Sequence, residues 1–308
     1  MARIVCLGEA MVELSATASG WSVGYGGDTL NTAIHLARAG HEVAYMTALG
    51  EDTFSAHLRT AWAAEGIDGD LVLTHPTRNA GLYAITTDAD GERSFTYWRD
   101  ASAARALFEL EVVDAAMAQA EAADLFYFSL ISLAILPPQG RQDLLLLAAR
   151  VRDRGGIVAF DGNYRPRLWE SPEMAARMRD KAIATADIGL PTFEDEALLD
   201  GARSPQAVAA HWQRLGCGEV IVKLGGQGCL LADGTPVAVP KTLQPIDTSG
   251  AGDAFNGGYL AARMRDAGIE DAALCGHALA GWNVMRRGAI PARDEAAPYT
   301  AGATISPQ

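Results

Sequence analysis

Short, continuously apolar runs alternate along this chain with longer Ala- and Leu-rich runs that end in glycine, and this rhythm limits the possible folds more than any other feature. RIVCLG precedes TLNTAIHLARAG, and EVAYMTALG precedes FSAHLRTAWAAEG. Further on, LFYFSL, LLLLAARVRDRG, GIVAFDGN and EVIVKLGG continue the pattern. A strand that is apolar on both faces has to be covered on both. The expected architecture is therefore α/β, a mostly parallel sheet between two layers of helices. The 308 residues, 49% of them hydrophobic, supply a core of the size this needs. No internal repeat or low-complexity segment divides them, so a single domain over 1–308 is expected.

The stretch 81–100, GLYAITTDADGERSFTYWRD, breaks the rhythm. Two β-like runs around DADG read as a hairpin, not as a crossover through a helix. Period-two alternation puts Tyr83, Ile85 and Thr87 on one face of the first strand and Phe95, Tyr97 and Arg99 on one face of the second. Ordinary aromatic packing of a half-buried hairpin accounts for this pattern. So does a lid that closes two phenol rings and a guanidinium over a pocket.

The formal charge of −13 excludes a sequence-independent grip on nucleic acid or on an anionic membrane, since both need clustered Lys and Arg. Cys6, Cys217, Cys229 and Cys275 form neither a CxxC pair nor a metal-ligand spacing with the six histidines. They read as reduced thiols of a cytoplasmic protein. MARIVCLGEA lacks the makeup of a signal peptide, and the longest apolar run, 125–136, is too short to span a bilayer.

The residues that carry chemistry begin at 246–255, IDTSGAGDAF, which leads into the helix-like NGGYLAARMRDAG. At a helix start the first N–H groups lack intrahelical partners and the helix dipole is positive. Gly250, Ala251 and Gly252 would let an anion approach that backbone. Asp253, in the first turn, would be placed to take a proton from a hydroxyl while a phosphate rests on those N–H groups. A capped acidic turn has the same local sequence. Three further stretches favour a site. KLGGQG at 223–228 is a glycine turn at a strand's C-terminal end, where open parallel sheets place ligands. GGDTLNTA at 26–33 is a second glycine-rich helix entry. AFDGNYRPRLW at 159–169 ends a strand in Asp, Asn and two arginines, of which Arg167 reads as solvated. There is no P-loop pattern, no HRD or DFG set, no HExxH and no GxGxxG fingerprint.

In GGDTLNTA and DTSGAGDAFNGG the chain resembles the ribokinase-like carbohydrate kinases of the phosphofructokinase-B type, from end to end. GLYAITTDADGERSFTYWRDASAA, SLISLAIL and FDGNYRPRLW are similar to the branch that phosphorylates 2-keto-3-deoxygluconate. The resemblance implies a central sheet with helices on both faces and a small β lid, with lid strands from about 9–25 and 81–100. It implies transfer of the ATP γ-phosphate to the terminal 6-hydroxyl of the sugar acid, with Mg2+ required and a homo-oligomer expected. It makes Asp253 the base and the Gly250, Ala251, Gly252 backbone the anion hole. Gly27, Asp28, Asn31, Tyr83, Tyr97, Arg99 and Arg165 are placed around the sugar acid, and Asn163, Lys223, Gly225 and Gly228 toward the nucleotide together with Gly250 and Gly252. Asp247 would fix its loop or touch the substrates. Many relatives carry an Asn-x-x-Glu element tied to magnesium. Here Thr192 and Asp195 stand at those places, so the metal ligand stays open between Asp195 and Glu196. A fructokinase, a 2-keto-3-deoxygalactonate kinase and a catalytically silent sugar-binding regulator remain as alternatives.

Overall fold

The computed structural model describes residues 2–17, 19–87 and 93–299. Its central sheet runs, in spatial order, Pro236–Val237, Cys229–Leu231, Glu219–Lys223, Ile188–Gly189, Ile157–Asp161, Leu125–Ser129, Arg3–Leu7, Glu42–Leu49 and Ile67–Asp68, with Val72–Thr74 also paired to Glu42–Leu49. All pairs are parallel except the two made by Cys229–Leu231, which pairs antiparallel with Glu219–Lys223 on one side and with the edge strand Pro236–Val237 on the other. The alternation in each strand divides the core in two. Val5, Leu7, Phe126, Phe128, Val158 and Phe160 pack under the helices Val113–Ala120, Pro138–Asp153, Pro172–Ile183 and Pro205–Arg214. Ile4, Cys6, Val43, Tyr45, Leu125 and Tyr127 pack under Asp28–Arg38, Thr53–Ala64, Ala251–Arg263 and Ile269–Val284. The doubly covered α/β sheet expected from the rhythm is the one observed.

One expectation is refined. The apolar run at 125–136 is two elements, the strand Leu125–Ser129 and the short helix Leu130–Ile135. The switch sits at Ser129, whose hydroxyl accepts from the Ser132 N–H at 3.2 Å while the Ser132 hydroxyl accepts from the Ser129 N–H at the same distance. This reciprocal capping box starts a helix that hydrophobicity alone does not mark.

A separate four-stranded sheet has the order Gly20–Gly26, Met11–Thr17, Gly81–Thr87, Arg93–Trp98. It is the small β lid. Its last two strands pair antiparallel as the hairpin reading requires, while the DADG turn falls outside the described residues. The register puts Tyr83 opposite Tyr97 and Ile85 opposite Phe95, so the two expected faces coincide. All four cysteines are free. Among the described residues no helix is long and apolar enough to cross a membrane.

Candidate active site

The site is built where strand ends of the central sheet meet the first turn of the Ala251–Arg263 helix. Gly250 caps that helix in the left-handed conformation, φ 68°, and a Cβ there would stand 2.7 Å from the Ala289 carbonyl, so only glycine makes the turn. The preceding loop is tied down on both sides. The Asp247 carboxylate accepts from the Ser249 and Gly288 N–H groups, each at 2.9 Å, and Asn283 donates to the Ser249 carbonyl at 2.9 Å. Asp247 therefore fixes the loop. Helix geometry leaves the Gly252 and Asp253 N–H groups without intrahelical acceptors, aimed along a positive dipole end.

Asp253 is 9% exposed. Its Oδ2 accepts from the Asn31 amide at 2.8 Å, and its backbone carbonyl accepts from the Thr32 hydroxyl at 3.2 Å. The Asp28–Arg38 helix, entered through Gly27, thus braces the candidate base. Burial pushes the Asp253 carboxyl up to about 8. Negative charge on Asp28 and Asp161 pushes the same way, opposed by the Asn31 hydrogen bond and by Lys223. Asp28 is itself raised by burial and Asp161, with the Ser129 hydroxyl and Arg99 acting against it. Three carboxylates thus share one electrostatic neighbourhood.

Beneath them lies a polar network that the sequence did not announce. Lys223 donates to Asp161 at 3.0 Å and to the Asn256 carbonyl oxygen at 3.1 Å. Asn256 donates to Asp161 at 2.9 Å and to the Tyr127 hydroxyl at 3.0 Å. All four residues are buried. Lys223, expected to face the nucleotide, has its ammonium in a buried ion pair, yet it still lies beside the helix start, since a Cβ on Gly252 would be 3.8 Å from its Nζ. Only the position of Asp161 at a strand's C-terminal end hinted at the network. Asn256 and Tyr127 carried no sign of it, one inside a helix-like run and the other inside an apolar strand.

Asn163, expected toward the nucleotide, donates at 3.2 Å to the carboxylate of Asp28, which was expected near the sugar acid. Gly225 (φ 56°) and Gly228 (φ 102°) shape the turn after the strand Glu219–Lys223. Arg165 is half-exposed, donates to the Tyr164 carbonyl at 2.7 Å and lies 3.5 Å from Asp195. Glu196 turns the other way, into a buried ion pair with Arg179 at 2.7 Å, which leaves Asp195 as the acid facing the site.

On the lid, the Tyr83 and Tyr97 rings lie 5.9 Å apart, and the Arg99 guanidinium stands 5.9 Å from the Tyr97 centroid. Tyr83 donates to the Glu13 carboxylate. Arg99 is buried and paired with Glu9. The residues expected around an acceptor are thus divided between the lid side (Tyr83, Tyr97, Arg99) and two helix starts (Asp28, Asn31, Asp253), with Gly27 at the entry of one helix and Arg165 half-exposed beside Asp195. The arrangement can hold a hydroxylated acceptor under an aromatic lid, take a proton at Asp253 and rest a phosphate on the helix start.

Comparison with known proteins agrees with this geometry. The chain is 42% identical to the 2-dehydro-3-deoxygluconokinase of Escherichia coli over 95% of its own length and 98% of that protein. It is 32% identical to the aminoimidazole riboside kinase of Salmonella typhimurium, over 87% and 82%. Among solved structures, a PfkB protein from Polaromonas superposes with a TM-score of 0.82 at 29% identity, covering 96% of this chain and 99% of that one. The model of the pfkB family carbohydrate kinases matches residues 1–296, and the chain belongs to that family.

Proposed function

We propose that this protein is a 2-keto-3-deoxygluconate kinase, which transfers the ATP γ-phosphate to the 6-hydroxyl of the sugar acid. The observation that carries the substrate reading is Arg99, a buried guanidinium at the root of the lid's aromatic face, in electrostatic reach of Asp28 and so of the acceptor side. Glu9 balances its charge through one nitrogen, and the donors of the fork left over match a carboxylate, which a neutral sugar lacks. Relatives named 2-dehydro-3-deoxygluconokinase, 36% to 42% identical over nearly the whole chain, support the same reading.

In this reading Tyr83 and Tyr97 stack over the sugar acid while Asp28 and Asn31 hold its hydroxyls beside Asp253. Asp253 takes the proton of the attacking hydroxyl. The Gly252 and Asp253 N–H groups receive the charge that develops on the transferring phosphoryl group, so catalysis is positioning and charge neutralisation. Lys223, beside Gly252, adds a fixed positive charge.

Magnesium, when bound with the nucleotide, would supply charge that neutralises its phosphates, and Asp195 is the residue that would hold it. The residues present fit an ion held through water. Asp195 is an acid raised by burial, with Arg165 and Lys223 opposing and Asp161 adding to the rise, so a cation near it would relieve a real cost. A homo-oligomer is part of the same proposal, and sedimentation of the full chain tests it.

The central test is a kinase assay across 2-keto-3-deoxygluconate, 2-keto-3-deoxygalactonate, fructose and ribose. A clear preference for the gluconate-derived acid is expected. Preference for a neutral sugar would sink the substrate reading, and absence of turnover on every acceptor would favour a regulator.

A further inference from the structure

The chain passes between the central sheet and the lid at Gly8–Ala10, at Gly27, before Gly81 and again after Trp98. One side chain sits where these crossings meet. Glu9, 1% exposed, follows the strand Arg3–Leu7, and its carbonyl would stand 2.4 Å from a Cβ on Gly27. Its Oε1 would stand 2.7 Å from a Cβ on Gly81, and that same Cβ would stand 3.3 Å from the Cβ of Arg99. Glycine at 27 and 81 is what allows the strands to close around this carboxylate.

Among the described residues, Arg99 is the only polar partner of the Glu9 carboxylate, through Nη2. Among the described residues the buried Arg99 Nε has no hydrogen-bond partner. A buried donor left unmatched is costly, so its persistence points to a group that arrives with the substrate. A guanidinium on a long stem takes many rotamers unless something holds one end, and only then can it present two parallel donors to a carboxylate.

We infer that Glu9 is a positioning residue for substrate selectivity: by holding Arg99 Nη2 at the lid hinge, it fixes the guanidinium plane so that the unpartnered Nε–H and the second Nη2 hydrogen beside it are left for the carboxylate of the sugar acid. The inference rests on the sugar-acid reading given above. Glu9 does not touch the reacting atoms. It acts through Arg99, and it also offsets one positive charge, so that without substrate the hinge is neutral overall.

The test is steady-state kinetics on the full chain with 2-keto-3-deoxygluconate and ATP, for wild type, Glu9→Gln, Arg99→Ala and the double variant, with a thermal melt of each. Glu9→Gln is expected to raise the sugar-acid KM roughly tenfold, the worth of one charge-assisted hydrogen bond, with kcat and the ATP KM near wild type. In the Arg99→Ala background the same change should add no further rise. Gly81→Ala, which crowds the pair from another strand, should move the sugar-acid KM in the same direction without touching either charge. An unchanged sugar-acid KM in folded Glu9→Gln, beside a raised one in Arg99→Ala, overturns the role of Glu9 alone. So does a Glu9→Gln effect that persists in full in the double variant. An unchanged KM in Arg99→Ala overturns both this inference and the assignment of Arg99, and a wild type inactive on the sugar acid removes the proposed function itself.

Discussion

Asn31 donates its side-chain amide to the Asp253 carboxylate at 2.8 Å, joining two helix starts that lie 222 positions apart in the chain. Each of these helices is entered through glycine, Gly27 and Gly250, so both backbones come close to the same small volume. The contact orients the carboxylate and stabilises its charged form, in surroundings that otherwise favour the neutral acid. Asn31, expected from sequence to touch the sugar, is in the structure first a partner of the candidate base.

Replacing Asp253 by Asn keeps shape and volume but removes proton acceptance. In the proposed reaction kcat should fall by roughly 10²–10⁴-fold, the range for lost general-base help, with little change in acceptor KM. Steady-state kinetics decide the point, and near-normal turnover would take Asp253 out of its role.

The pH profile should respond to the neighbours of Asp253 in opposite directions. Burial, then Asp28, holds its carboxyl up at about 8, and the Asn31 bond lowers it. A base must be ionised to act, so kcat/KM for the acceptor should rise with pH through that region. Asp28→Asn removes a negative charge and should move the rising limb to lower pH. Asn31→Ala removes a stabilising donor and should move it to higher pH. Two limbs that stay at the wild-type position would show that another group titrates.

How far the sequence foretold this site depends on whether local pattern or distant packing made each part. The helix starts at Gly27 and Gly250 and the pairing of Tyr83 with Tyr97 follow from local chemistry and strand period, and both were legible. The Glu9–Arg99 pair, the Asn163 contact to Asp28 and the Lys223–Asp161–Asn256–Tyr127 network are made by residues from 33 to 135 positions apart. Nothing local marks Tyr127 as polar-paired, since it lies within an apolar strand. The antiparallel strand Cys229–Leu231 was also unmarked, because three residues are too few to show a period.

The ion pair of Lys223 with Asp161 offers a stability test. Both partners are buried, so removing one strands the other's charge. Lys223→Met should cost about 3–5 kcal/mol in unfolding free energy. The double variant with Asp161→Asn should recover a large part of that loss, because no unpaired carboxylate is then left inside. Denaturant unfolding of the three variants measures the coupling, and additive losses would show that the two residues act apart.

Glu196 gives a pH dependence of stability whose sign can be worked out. Burial pushes its carboxyl up to about 7, with Arg179 opposing and Asp200 adding to the rise. The folded chain therefore holds this proton more tightly than the unfolded chain, whose glutamates titrate near 4.3 as free side chains do. The stabilisation from the protonated form is complete below the unfolded value and is lost as pH rises through about 7. Glu196→Gln keeps the size and an acceptor for Arg179 but cannot ionise. Its unfolding free energy should then decline less than that of wild type between pH 5 and pH 8, values that bracket the titration. Chemical denaturation at the two pH values checks this, and equal declines in both proteins would show that Glu196 stays ionised across the range, held by Arg179.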